Sequence, residues 1–237
     1  MRGKASSGIG LAAVAAVAIS ACGGSSGSSS SSGNGVASKS PDQILATAVK
    51  AAQAARSVHV KGTVRNGSET IGIDLSITSG HGATGTIAEG DASFKLTAAG
   101  GFVYIQPSAR FLSKFVHSAA AVQLLRGKWL KGSPSNSSFQ SFAQLTSIKS
   151  LMGSLTQDHG TLTKGSTTTV NGVKAVALHS SKGGTMYIAT TGKPYPLEVS
   201  KASGTKSGKV TFSDYNKAFS ISAPGHAVDL DRLQSLG

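Results

Sequence analysis

The side chains best suited to nucleophilic or metal chemistry are few in this sequence, and their spacing disperses them. Six histidines, His59, His81, His117, His159, His179 and His226, stand far apart, with no H-E-x-x-H, H-x-E or i,i+4 pair among them. Zinc ligation from one helix needs such a pair, because only residues one turn apart reach the same ion. Ser203-Gly204-Thr205-Lys206 matches S-x-x-K, but it lies in a Gly/Lys turn without the companion motifs of that chemistry. Gly23-Gly24-Ser25-Ser26-Gly27 matches G-x-S-x-G, yet a nucleophile elbow needs a strand before the serine and a helix after it. A Ser/Gly run supplies neither. No Gly-rich loop carries a Walker lysine or a dinucleotide spacing. The sequence therefore presents no catalytic constellation, no metal ligand set and no cofactor motif.

The single cysteine, Cys22, is placed for a different chemistry. Met1–Gly8 carries Arg2 and Lys4 and no acid, and Ile9–Ile19 is an unbroken apolar and small-residue run. About twenty apolar residues are needed to cross a bilayer as a helix, so this run reads as a signal-peptide core. It ends in Ile19-Ser20-Ala21-Cys22-Gly23-Gly24. A branched aliphatic, two small residues and a cysteine resemble the lipobox of bacterial lipoproteins. That likeness implies diacylglycerylation of the Cys22 thiol and removal of residues 1–21, leaving the chain anchored to the outer face of the cytoplasmic membrane. The alternative is an ordinary secretory signal followed by a chance cysteine. After Cys22, residues 23–40 are dominated by Ser and Gly and bury too little apolar surface to offset ordering entropy, so 22–40 reads as the acylated cysteine and a flexible tether. Eighteen such residues would have an r.m.s. reach of about 21–25 Å.

Composition bounds the rest of the chain. The 237 residues carry 23 Lys+Arg against 10 Asp+Glu, a formal charge of +13, with 39% apolar residues. That is too apolar for a disordered chain and too polar for a multispanning membrane protein. One cysteine excludes an internal disulfide or a Cys-based zinc staple. The cations are dispersed as singles, mostly lysines, without the clustering and aromatic interleaving of nucleic-acid binders, so no nucleic acid is expected. They fit either a solvated surface or a weak, salt-sensitive attraction to an anionic envelope surface.

Residues 41–237 read as one domain. Ser40, Pro41 and Gln43 form an S-x-x-Q capping box with proline at the first helical position. The helix after it puts Ile44, Ala48, Ala51, Ala52 and Ala55 on one face. Val58, Val60 and Val64 alternate with polar residues, and Ile71, Ile73, Leu75 and Ile77 do so more cleanly, as in a sheet wet on one side. Short runs at 84–89, 93–97 and 102–106 continue the strands. Two helical zones come next, Ser108–Arg126 with Phe111 and Phe115 on its stripe, and a second carrying Phe142, Leu145, Leu151, Met152 and Leu155. Asn171-Gly172 between two alternating runs signals a type I′ hairpin. Runs at 185–190, 197–201, 209–215 and 219–222 continue a meander, and Asp229–Leu233 reads as a last helical turn. The expected class is α+β, a large curved antiparallel sheet of about ten or eleven strands with two or three helices on one face.

Several of these segments resemble one family. Lys128-Trp129-Leu130, Thr167-Thr168-Thr169-Val170-Asn171-Gly172-Val173, Tyr187-Ile188-Ala189 with Pro196-Leu197, and Phe212-Ser213-Asp214-Tyr215-Asn216 ending in Ala223-Pro224 are similar to the actinobacterial LolA-like lipoproteins, the LppX/LprG group. The resemblance spans about Pro41 to Leu233 and rests on hairpin and packing features. It implies a half-barrel whose concave face is covered by helices, with an apolar cavity between them for the acyl chains of envelope lipids or lipoglycans. It carries over no polar specificity residue and names no protein partner.

The residues placed to line such a cavity are Ile44, Ala48, Ile71, Ile73, Leu75, Phe94, Leu96, Phe111, Phe115, Leu151 and Met152. Such stripes equally form solid core. An alanine-faced helix fills little volume against a wide sheet, which leans toward a void. Ser108–Gly127 and Gln140–Leu155 are the expected lids. A carrier of acyl chains is therefore one expectation, and an envelope sensor or interaction lipoprotein with a packed core is the other.

Overall fold

The computed structural model describes residues 33–157, 159–204 and 207–234. Cys22, the apolar run before it and the tether as far as residue 32 lie outside the described residues. Residues 33–39, which read from sequence as tether, are docked on the fold. The Asn34 amide donates to the Thr190 carbonyl at 2.8 Å, and its side chain donates to the carbonyls of Ala189 at 3.0 Å and Gly192 at 3.1 Å. Val36 comes next in a short 3-10 turn and is fully buried.

Helix α1 (Pro41–Gln53) begins as its capping residues require, with the Ser40 amide donating to the Gln43 carboxamide oxygen at 3.3 Å. Its buried face is Ile44, Ala48 and Ala52. A continuous antiparallel meander succeeds it: β1 (Ser57–Asn66), β2 (Glu69–Thr78), β3 (Gly82–Glu89), β4 (Ala92–Ala99) and β5 (Phe102–Pro107). Four short helices come next, α2 (Ala109–Phe115) and α3 (Ala119–Leu125), then α4 (Ser137–Leu145) and α5 (Ile148–Thr156), with β6 (Leu130–Gly132) between the pairs. The second meander is β7 (Leu162–Val170), β8 (Val173–Ser180), β9 (Gly184–Ala189), β10 (Pro196–Lys201) and β11 (Gly208–Ser213). The chain closes with β12 (Val228–Asp229) and α6 (Leu230–Gln234).

All these strands form one open sheet in the order β12-β6-β5-β4-β3-β2-β1-β11-β10-β9-β8-β7, antiparallel except where β12 pairs parallel with β6. The fold is α+β, as the sequence leads one to expect. The two meanders join through β1 and β11. Asn171 and Gly172 both take positive φ, 49° and 81°, the geometry of the type I′ turn between β7 and β8.

Some elements depart from the sequence reading. The zone at 108–126 is two helices, because the Ser118 hydroxyl accepts the Ala121 amide and restarts the helix after a break at 116–118. Ser147 does the same for α5. Residues 219–222 form no strand. Strands β6 and β12 span three and two residues, too short to carry a periodicity.

The helices cover the face formed by one alternating set of residues. A row crosses seven strands in register, Phe212, Val60, Leu75, Gly85, Leu96, Ile105 and Leu130. Except for the glycine, every member is buried. Gly85 is the break in that row, and a Cβ there would overlap the Asp74 carbonyl on β2. Among the described residues, Val36 is the first to join a hydrophobic cluster. Among the described residues no helix is long and apolar enough to cross a membrane.

On the opposite face an ionic cluster fastens three adjacent strands. His59 on β1 places Nε2 2.8 Å from Asp74 Oδ1 on β2, and Lys61 Nζ lies 2.9 Å from the other Asp74 oxygen. Asp214, just after β11, comes within 3.8 Å of His59 Nδ1. The His59 hydrogen bond, then that from Lys61, holds the Asp74 carboxyl below the usual carboxylate range.

Both features of the sheet are open to test. Gly85→Ala must force β2 and β3 apart and should cost about 1–3 kcal/mol in denaturant unfolding. A wild-type midpoint in that variant would show that the strands separate without strain. Because the Asp74 pKa is depressed on folding, its contribution is complete above the unfolded value near 3.9 and disappears as pH falls through the folded value. The Tm gap between wild type and Asp74→Asn should therefore be constant from neutral pH to about pH 4 and close below it. A gap that persists at about pH 2 would assign the effect to packing.

Candidate functional site

Among the described residues, a large apolar concavity lies beside the β5–β6 end of the sheet. Its volume is about 540 Å³, within the range of roughly 300–1,000 Å³ usual for small-molecule sites. Ile105 and Pro107 of β5 and Leu130 of β6 form its sheet side, and Phe111, Leu112 and Phe115 of α2 stand opposite. Val116, Leu125 of α3, Phe139 and Phe142 of α4, and Leu230 of α6 complete it. Ser138 is the single polar lining residue. A wall of this kind offers burial to a hydrocarbon and nothing to a charged group.

Aromatic rings set the wall spacing. Phe94 packs 4.9 Å, centroid to centroid, from both Phe111 and Phe142. Phe115 lies 5.1 Å from Phe111, and Phe139 lies 6.4 Å from Phe142. Five of the eight phenylalanines thus form one connected group. Tilted and edge contacts of this type contribute about 0.5–1.5 kcal/mol each beyond area burial. Phe139 is seated over Gly132, where any Cβ would strike its ring.

The C-terminal segment locks this corner. The Asp231 carboxylate accepts the Ser133 amide at 2.7 Å and the Asn136 side-chain amide at 2.6 Å. Asn136 in turn caps α4 by accepting the Ser138 amide. One carboxylate from the chain end therefore fixes the loop that aims Phe139 and Phe142 at the pocket, and Leu230 beside it supplies part of the lining.

The two remaining walls differ in how firmly they are held. Helix α2 buries Phe111 and Leu112, and its cations reach strand-end acids. Arg110 Nε lies 2.5 Å from Asp91, and Lys114 Nζ lies 3.3 Å from Glu89 and 3.8 Å from Glu69. The hydrogen bond between Glu69 and Glu89 raises the pKa of the first and lowers that of the second. Helix α3 buries no residue. It is the wall with least packing to lose on opening.

The candidates read from sequence divide between this pocket and the core behind it. Phe111 and Phe115 line the pocket, and Phe94 backs the Phe111 ring. Leu75, Leu96 and Met152 are buried in the same cluster without lining the pocket, and Ile71, Ile73 and Leu151 pack half-buried against it. Ile44 and Ala48 lie in a second cluster with Val36, Val176, Leu178, Met186 and Ile188, under α1. Leu112, Leu125, Leu130, Phe139 and Leu230 are not among the cavity candidates of the sequence, and Phe142 stands there only as a helix-stripe residue. Their common signal, large apolar residues in elements too short to show a period, becomes visible only once the sheet edge gathers them.

The structure also brings together groups that stand apart in sequence. Ser213 Oγ lies 3.4 Å from His59 Nδ1, and the other ring nitrogen faces Asp74. The Ser213 hydroxyl also lies 3.2 Å from Asp214 Oδ2, which competes for its proton. His59 and Ser213 are register partners on β1 and β11, and His59 faces Ser76 across β2. This geometry ties strands together and does not present a nucleophile. Among the described residues no group of three or more His, Cys, Asp or Glu is placed to hold a metal ion.

No family model matches the chain, and no curated protein sequence matches it. Solved structures do. LprF from Mycobacterium bovis superimposes with a TM-score of 0.54 at 14% identity, covering 78% of this chain and 96% of that one. The lipoprotein LppX from Mycobacterium tuberculosis gives a TM-score of 0.48 at 16% identity, over 76% of this chain and 99% of that one. An uncharacterized conserved protein from Thermus thermophilus gives 0.39 at 11% identity, over 79% and 96%. The likeness to LprF is one of fold: this chain shares with it the open, mostly antiparallel sheet covered by helices.

Proposed function

We propose that this protein is an exported lipoprotein, acylated at Cys22 and held at the outer face of the cytoplasmic membrane, that binds acyl chains of envelope lipids or lipoglycans and shields or transports them. The observation that carries this reading is the apolar pocket, about 540 Å³ with one polar lining residue. Its chemistry selects hydrocarbon and leaves a headgroup outside. The LprF-like fold and the cysteine placed after an apolar signal core support the same reading.

Binding is partition. Apolar surface gains about 25 cal/mol per Å² on leaving water, so burying a few hundred Å² of acyl chain offsets much of what the chain loses on leaving the bilayer. Access and release run through the α3 wall, which has no fully buried residue and holds to the core through Val122 and Leu125. The chain's own residues do this by packing and exclusion, with no covalent step.

The test is a soluble form lacking residues 1–21 and carrying Cys22→Ala, purified from a lipid-containing host. Native mass spectrometry before and after organic extraction should show a mass excess that leaves as lipid. Leu125→Trp, which fills the pocket from α3, should remove most of that excess, and Phe115→Asp at the exposed rim should abolish it while circular dichroism stays native. Bare protein even after incubation with envelope lipids would overturn the carrier reading in favour of an interaction role. Loading unchanged by both substitutions would move the site elsewhere.

A further inference from the structure

Three large hydrophobic side chains are substantially exposed among the described residues: Phe102, Phe115 and Leu124, at 37%, 68% and 65%. Phe102 is partnered, since Lys131 Nζ sits 4.5 Å above its ring. The other two belong to α2 and α3, the helices that wall the pocket. Phe115 lines it, and Leu124 directly precedes the lining residue Leu125. The most exposed apolar groups of the domain therefore stand beside the opening of its apolar pocket.

Charge selects what would cover them. From Ala92 to Gln157 the chain carries seven Lys and Arg and no Asp or Glu. Arg110, Lys114 and Lys131 of that set reach acids from other segments. Arg126, which caps α3, and Lys128 are exposed and make no ion pair among the described residues. Two exposed apolar side chains near two cations that make no ion pair among the described residues, in a stretch of chain without an acid, complement a surface that is apolar within and anionic outside. An anionic lipid bilayer is such a surface.

We propose that the α2–α3 end is a membrane-docking face, in which Phe115 and Leu124 enter the interfacial region of an anionic bilayer while Arg126 and Lys128 bind its headgroups. Docked in this way, the pocket opens toward the acyl chains, and cargo crosses little water. The proposal rests on the acyl-binding reading for the role of the pocket, and its docking step is testable apart from cargo.

The test uses residues 23–237 with Cys22 absent, so that no anchor contributes, and phosphatidylcholine vesicles with or without phosphatidylglycerol. Flotation should show binding to the anionic vesicles and loss of it in high salt. Arg126→Gln and Lys128→Gln should each weaken binding by about fivefold, and Leu124→Ser by about tenfold. Phe102→Ser should leave it unchanged. Trp129 is the only tryptophan, so Phe115→Trp in a Trp129→Phe chain gives a depth probe, and brominated lipid should quench its fluorescence. Leu125→Trp, which plugs the pocket, should still float, which separates failure of docking from failure of cargo binding. Absence of vesicle binding, binding indifferent to Leu124→Ser, or an unquenched probe would each overturn the proposal and leave this face to a protein partner.

Discussion

The structure depends on how far each covering helix is held from the apolar face of the sheet, and side-chain size sets that distance. Under α1 the spacers are methyl groups, with Ala48 and Ala52 buried completely, and Ile44 shares a buried cluster with Val176 and Leu178. At the β5–β6 end the spacers are phenylalanine rings, which cannot interleave as closely. Helices only seven to nine residues long cannot drape over them either. The volume that close packing would eliminate collects there as the pocket. The α1 half keeps only a smaller concavity, about 180 Å³ beside Leu45, Leu178 and Met186, and the larger apolar volume lies at the propped β5–β6 half.

Much of this was legible in the chain. The Ser40-Pro41-Gln43 start, the alternation through Ile71 and Ile77, and the Asn171-Gly172 turn each specify their element locally. The position of the slack was harder to read. An alanine face suggests a void, because alanine fills little space; on a fold free to adjust, it instead lets the helix descend until contact is made. Phe139, Leu130 and Leu230 come from three segments that meet only at the sheet edge. Their meeting depends on Asp231 binding the loop at residues 133–136, a long-range contact that leaves no periodic trace in sequence. Likewise, His59, Asp74 and Ser213 converge because β1 sits between β2 and β11, a pairing that joins the two ends of the domain.

Electrostatics and packing are kept apart in this design. The pocket lining holds no ionisable residue, while the positive charge of the chain sits on strand faces, turns and the outer sides of the helices. Where cations approach the pocket they act at its edges, Lys114 and Arg110 fastening α2 to strand ends and Lys131 pairing with Asp229 beneath α6. In low-dielectric surroundings the desolvation of such charges would exceed their mutual attraction. Placed at the rim they hold the frame and leave the interior dry.

For a domain anchored at Cys22, as proposed, the docking of Asn34 on the β9 end would set the reach from the membrane. A tether running to the first helix would let a domain acylated at Cys22 stand off by as much as about 65 Å of extended chain. With Asn34 bonded to Ala189, Thr190 and Gly192, only the chain from Cys22 to residue 33 would set that standoff, at most about 40 Å when fully extended. In a chain anchored as proposed, the three hydrogen bonds of one asparagine would act as a length stop, raising the domain's effective concentration near the bilayer and leaving any partner beyond about 40 Å within reach only after Asn34 lets go.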